Sequence, residues 1–123
     1  MKNNGFTFRK RMASFRYAFR GLRRLFAYEP NAWIHTFVAI CVLIAGFLFR
    51  IAVWEWVAIV VVIGFVFAAE AFNSSVESLG DSITTEPNEY IKHAKDLAAA
   101  AVLISAIAAA ITGCIIFLPK LLA

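Results

Sequence analysis

Glu70, Asn73, Glu77 and Asp81 follow one another, at spacings of three and four residues, along the end of a long apolar run. At about 100° per residue they fall at roughly 0°, −60°, −20° and +20°, so all four share one helical face. An ionisable side chain at hydrocarbon depth costs about 2.5 kcal/mol or more, which makes such a residue a functional candidate by default. From Glu70 to Asp81 the face climbs roughly 16 Å, from the membrane interior into the aqueous interface. A reaction between a lipid headgroup and a water-soluble molecule needs such a gradient. Glu70, the deepest, suits a general base or a carboxylate that shares a proton, because low dielectric penalises the charged form. Glu77, nearer water, suits a ligand for Mg²⁺ bridging phosphates, and Asn73 can orient a carboxylate or a hydroxyl without adding charge.

Other polar residues gather on the same side. Glu86, Asn88 and Glu89 lie in a polar stretch read as a loop, and Lys95-Asp96 stand directly before the next apolar run. A lysine at that boundary is ordinarily a snorkelling topology residue; beside Asp96 it also reads as a phosphate contact positioned by an acid. Glu29 sits at the same interface, where a second metal ligand would be needed. Glu55, between Trp54 and Trp56 on the opposite side, reads as a solvated loop charge. His35, just inside the first apolar run, reads as a hydrogen-bonded interfacial residue and His93 as a loop residue. The chain contains no G-x-x-x-x-G-K-[ST], no G-x-G-x-x-G and no H-R-D or D-F-G set, so any ATP chemistry must be arranged without soluble-kinase loops.

The elements that must position these residues follow from composition. With 123 residues, 62% hydrophobic and 16% charged, and a mean hydropathy of +0.76, the chain reads as a small integral membrane protein and not as a soluble domain. Three runs, about 33–49, 55–77 and 97–118, are long enough to cross some 30 Å of hydrocarbon. Ahead of them Phe8, Met12, Phe15, Phe19, Leu22 and Phe26 recur at helical spacing among Arg11, Arg16, Arg20, Arg23 and Arg24. This predicts an amphipathic surface helix over about 6–27, ended by Glu29-Pro30-Asn31. The chain is read as one domain, 1–123, all-α. Eight of the twelve cations, Lys2 among them, precede the first span, which predicts a cytoplasmic N-terminus in a multi-pass protein of the cytoplasmic membrane. The Glu70 face is then at the cytoplasmic end of the second span, where ATP is available. Cys41 and Cys114 lie in apolar runs without metal spacing and read as buried apolar side chains. No signal peptide is expected. Three spans enclose little interior, so self-association through small residues such as Ala98 to Ala101 and Ala108 to Ala110 is expected. No nucleic-acid partner is expected.

The stretch Glu70-Ala71-Phe72-Asn73-Ser74-Ser75-Val76-Glu77-Ser78-Leu79-Gly80-Asp81 resembles the prokaryotic diacylglycerol kinase family, which includes undecaprenol kinases, in its pattern E-x-hydrophobic-N-[ST]-[AS]-hydrophobic-E-x-x-hydrophobic-D. Tyr17-Ala18-Phe19-Arg20-Gly21-Leu22, Glu29 and Ala94-Lys95-Asp96 extend the resemblance over nearly the whole chain. It implies a surface helix plus three transmembrane helices, assembled as a homotrimer with active sites shared between subunits. It further implies that Glu70 is the catalytic base, supported by Asn73, and that Glu29 and Glu77 bind Mg²⁺. Tyr17, Glu29, Glu77, Asp81, Glu86, Asn88, Lys95 and Asp96 fall at nucleotide-contacting positions, and Lys10 at a basic position near the lipid substrate. Two positions depart from the family pattern: Gly80 replaces an aliphatic residue, which is expected to loosen the helix end by about 1 kcal/mol relative to Ala, and Asn88 stands after Pro87 where histidine is common.

The expected activity is transfer of the γ-phosphate of ATP, with Mg²⁺, to the hydroxyl of a membrane lipid alcohol. Glu29-Pro30-Asn31-Ala32-Trp33-Ile34-His35 resembles the undecaprenol kinases more than the enterobacterial diacylglycerol enzymes, which favours undecaprenol; diacylglycerol is the alternative. A non-catalytic channel or transporter, with Glu70 and Asn73 lining a polar path, stands as an alternative of another class. It leaves Glu77, Asp81, Lys95 and Asp96 unexplained.

Overall fold

The computed structural model describes residues 7–123. Lys2 and the first residue of the expected surface helix lie outside the described residues. Four helices follow in order: α1 (Phe8–Tyr28), α2 (Pro30–Leu48), α3 (Val53–Ile83) and α4 (Glu89–Leu122). There is no strand among the described residues. α2, α3 and α4 are each long and apolar enough to cross a membrane, as expected for a multi-pass membrane protein.

The helix ends have local causes. Thr7 caps α1, its hydroxyl accepting from the Lys10 N–H at 3.3 Å. Pro30 occupies the start of α2, where its missing N–H costs nothing, and Glu29 between the two helices is extended, closing α1 and opening α2. The α1–α2 corner is held by the Trp33 indole N–H, which donates to the Phe26 carbonyl at 2.7 Å. The aromatic stripe of α1 is left open: Phe8, Phe15 and Phe19 are exposed and only Leu25 is buried. An apolar face without a protein partner fits a helix lying in the headgroup layer.

At the other end of α2, Arg50 takes a left-handed φ of 52° while the Ile51 N–H reaches back to the Gly46 carbonyl at 3.2 Å. This closes the helix as a glycine normally would. Gly46 is needed for a different reason. A β-carbon there would come within 2.5 Å of the Trp56 ring, so the glycine lets α3 begin tight against α2.

α3 and α4 form the main pair, and α2 touches α3 much less extensively. Ile51, Ile59 and Ile116 are the centre of the small apolar core. Ion pairs bolt α3 to α4 at both ends. At one end Lys95 meets Asp81 and Glu77; at the other the Lys120 ammonium donates to Glu55 at 3.0 Å. Glu55 is therefore not the solvated loop charge expected from sequence. It is buried in the first turn of α3, where it also accepts from the Ala52 N–H at 2.8 Å. Half of a capping box is present, since Ala52 has no side-chain oxygen to return the bond.

Both outer helices overrun the expected spans. α3 continues six residues beyond 77, to Ile83, and α4 starts at Glu89, so Glu89 and His93 are helical and not in a loop. Polar residues do not end a helix whose backbone bonds stay paired, and the Thr84 N–H still reaches the Gly80 carbonyl at 3.3 Å. Both cysteines are free, as expected, but they are exposed on the helix surfaces and not buried.

Gly46→Ala should destabilise the protein by about 1–3 kcal/mol, the usual cost of overpacking. Thermal unfolding in detergent, followed by tryptophan fluorescence, measures it; an unchanged midpoint would mean that Trp56 moves aside freely.

Candidate active site

α3 carries the site in two storeys. In the lower one the Glu70 side chain is wholly buried. Its Oε1 lies 3.1 Å from the Nε2 of His35 on α2, whose side chain is 22% exposed. Oε2 of Glu70 and Oδ1 of Asn73 are both buried with no hydrogen-bond partner. Two buried acceptors without donors form a place that wants a donor, such as a hydroxyl, because an unsatisfied buried polar atom carries its full desolvation penalty.

His35, the partner of Glu70, also lines an apolar cavity of about 610 Å³ between α2, α3 and α4. Its α4 wall is made of small residues, Ala106, Ala109, Ala110 and Gly113, and His35 and Phe67 stand at the Glu70 end. Phe67 packs edge-on to His35, with centroids 6.3 Å apart, and also against Phe26 at 5.9 Å. Three helices thus meet one turn below the buried carboxyl.

The upper storey begins at Glu77, roughly 10 Å further along the helix at 1.5 Å per residue. Here Lys95 crosses from α4, its Nζ donating to Asp81 Oδ1 at 2.7 Å and lying 3.5 Å from Glu77 Oε2. The hydrogen bond to Asp81 is the main cause that raises the Lys95 pKa above its ordinary value; the charges of Asp81 and Glu77 add to it, against a partial loss of solvation. Glu77, Asp81, Glu86, Asn88, Lys95 and Asp96 all line one open cavity of about 900 Å³. These are six of the eight positions singled out for nucleotide contact.

Three details differ from the sequence reading. Lys95 is not positioned by Asp96. Neighbouring residues on a helix diverge by about 100°, so Asp96 turns away and accepts from Lys92, one helical turn back, at 2.7 Å, which lowers its pKa. Gly80 lies inside α3, which runs on to Ile83. It is buried, and a β-carbon there would come within 2.9 Å of Ile91 Cγ2 and 3.1 Å of Lys95 Cε; the glycine is the clearance through which the lysine stem passes. Asn88 caps α4, its side chain accepting from the Ile91 N–H at 3.1 Å, so part of its bonding capacity serves the fold.

The remaining candidates lie apart from these storeys. Glu29 stands partly buried at the α1–α2 corner and its side chain makes no capping bond. Tyr17 is exposed on α1 beneath the Arg20 guanidinium, 5.6 Å from the ring centre. Lys10 is exposed in the first turn of α1. No described hydrogen bond or ion pair joins these three to Glu70 or to the Lys95 cluster. His35 is hydrogen-bonded, as the sequence reading has it, but to the Glu70 carboxyl, a partner that reading did not name. Its signal was available, since an ionisable side chain inside an apolar span marks a site, but its partner lies 35 residues away.

Among the described residues no group of three His, Cys, Asp or Glu side chains could hold a metal ion.

The sequence profile of the family described as prokaryotic diacylglycerol kinase matches residues 16–117. Among similar proteins, an undecaprenol kinase of Bacillus subtilis is 41% identical over 108 residues, covering 88% of each chain. A diacylglycerol kinase of Synechocystis is 38% identical over 112 residues, 90% of this chain and 64% of the other. A diacylglycerol kinase of Escherichia coli is 32% identical over 122 residues, 94% and 95% of the two chains.

Asp81→Asn should lower the Lys95 pKa by removing its strongest partner, leaving more neutral amine at mildly alkaline pH. Faster acylation of Lys95 by an amine reagent, read by mass spectrometry, is the expected outcome; an unchanged rate would show that Glu77 alone holds the ammonium.

Proposed function

Because the chain belongs to the prokaryotic diacylglycerol kinase family and is a membrane lipid kinase, we propose that its two storeys divide one phosphoryl transfer, the lower taking the lipid alcohol and the upper the triphosphate of ATP. The observation that carries this reading is the unpartnered Oε2 of the buried Glu70. It is an acceptor waiting for a donor, and the hydroxyl of a lipid is a donor that arrives from the apolar side. The hydroxyl proton passes to Oε2 as its oxygen attacks the γ-phosphorus; the new O–P bond forms as the bond to the β-phosphate oxygen breaks, and ADP leaves. Asn73, one turn above Glu70, holds the hydroxyl or the carboxyl in line.

Glu77 and Glu29 are the carboxylates we assign to Mg²⁺, and Lys95, Asp81, Glu86, Asn88 and Asp96 border the nucleotide. Lys95 is poised to exchange its acid partners for phosphate oxygens, which would free Glu77. When bound, Mg²⁺ supplies charge neutralisation across the β- and γ-phosphates. Tyr17 on α1 is assigned to the nucleotide side and Lys10, in the first turn of α1, to the lipid side. We assign the chain to the cytoplasmic membrane with its N-terminus inside, on the eight cations ahead of the first span. The exposed faces of α2, α3 and α4 and the small interior support assembly as a homotrimer.

For the lipid we favour undecaprenol, on the stretch from Glu29 to His35 and on the similarity to a protein named undecaprenol kinase at 41% identity; diacylglycerol is the second reading, favoured by the similarity to proteins named diacylglycerol kinase. A channel or transporter has nothing further to support it. Purified protein given ATP and either lipid alcohol in mixed micelles separates the two readings by their turnover, and preference for diacylglycerol would reverse the choice of lipid without touching the chemistry. Glu70→Gln should abolish lipid phosphorylation in an intact assembly, whereas normal turnover by that variant would remove Glu70 as the base. Glu77→Gln should raise the Mg²⁺ concentration needed for half-maximal rate, and an unaltered metal dependence would count against it as a ligand.

A further inference from the structure

We propose that His35 is the positioning residue of the reaction: its Nε2–H holds Oε1 of Glu70 and thereby turns Oε2 towards the incoming hydroxyl. The inference rests on the reading of Glu70 as base. Among the described residues the 3.1 Å contact is the one hydrogen bond of the Glu70 carboxyl, and its Oε2 is buried without a partner. In a buried carboxyl with a single donor, that donor supplies the one directional contact that distinguishes the two oxygens, since the other oxygen has no hydrogen bond to hold it.

The donor is itself held. Phe67 packs edge-on against the imidazole, Phe26 packs on Phe67, and Trp33 packs on Phe26 with centroids 5.7 Å apart while bonding its carbonyl. A run of rings from α1, α2 and α3 therefore fixes the side chain that fixes the carboxyl. His35 also lines the apolar cavity while holding the buried Glu70 behind it, so it is the polar side chain that links the cavity to the carboxyl. Donation from Nε2 requires no change of protonation at the ring during turnover. The role is orientation and not proton transfer, and a neutral donor of the same reach should replace it.

His35→Gln places an amide N–H near the position of Nε2, and His35→Ala removes the donor. In mixed micelles, with either lipid alcohol, His35→Ala should lower kcat on the order of 10²-fold, the scale of a small misplacement of a reacting group, with KM for Mg-ATP unchanged. His35→Gln should return kcat to within a few-fold of the parent. Three results would overturn the inference: parental kcat in His35→Ala; a raised lipid KM with kcat unchanged, which is what a mere wall of the cavity would give; or His35→Gln as slow as His35→Ala with the same thermal unfolding midpoint, which would mean that the ring transfers a proton. Glu70→Gln measured in parallel separates the two readings. If it turns over normally the base assignment has failed, and if it is dead while His35→Ala is normal only the present inference has failed.

Discussion

The contact between His35 and Glu70 joins the thinly attached α2 to the α3–α4 pair at the level where the chemistry is assigned. A carboxyl out of water must be satisfied by what the fold brings to it. Here the fold brings one donor, from another helix, and leaves the second oxygen unmet. The α1–α2 corner at Glu29, the Trp33 bond and the packing of Phe26 on Phe67 all bear on that single donor. Removing any of them changes the surroundings of Glu70 before it changes the fold as a whole.

The α3–α4 pair plays the complementary part. Its ion pairs sit at the two ends, Lys95 with Asp81 and Glu77 at one and Lys120 with Glu55 at the other, and the length between them is closed by apolar and small side chains. Lys95, Glu77 and Asp81 keep access to water, whereas Glu55 is buried and is satisfied by Lys120 and the Ala52 N–H, with apolar burial in between. Gly80 makes one of these ends possible by leaving room for the lysine stem. The same acids and lysine that tie α3 to α4 at one end also line the open cavity proposed for the nucleotide, so in that reading stability and binding draw on the same side chains.

Much of this could be read from the sequence. The three apolar runs and the aromatic stripe of α1 depend on hydropathy and periodicity, which are local, and the Glu70 face needs only the helical repeat. Partners were not legible in the same way. His35 meets Glu70 across 35 residues and Glu55 meets Lys120 across 65, distances over which no pattern in one chain specifies a contact. The pairing of Lys95 with Asp96 was read from adjacency, and a helix turns adjacent side chains apart. α3 and α4 extend past the apolar runs because a polar segment in water can remain helical, and hydropathy marks only where the membrane ends.

α3 has 31 residues, hence a length of about 46 Å at 1.5 Å per residue, against a hydrocarbon thickness of about 30 Å. The excess carries Glu77 and Asp81 on the same rigid rod that holds Glu70, with no loop between them to absorb a change. The rod works as a gauge whose zero is the plane of the bilayer. In a thicker membrane the upper acids would be drawn toward the headgroups, and in a thinner one Glu70 would rise out of the hydrocarbon, with tilt as the main means of compensation. The protein is therefore expected to be tuned to the acyl-chain length of its host lipids as much as to the lipid it phosphorylates.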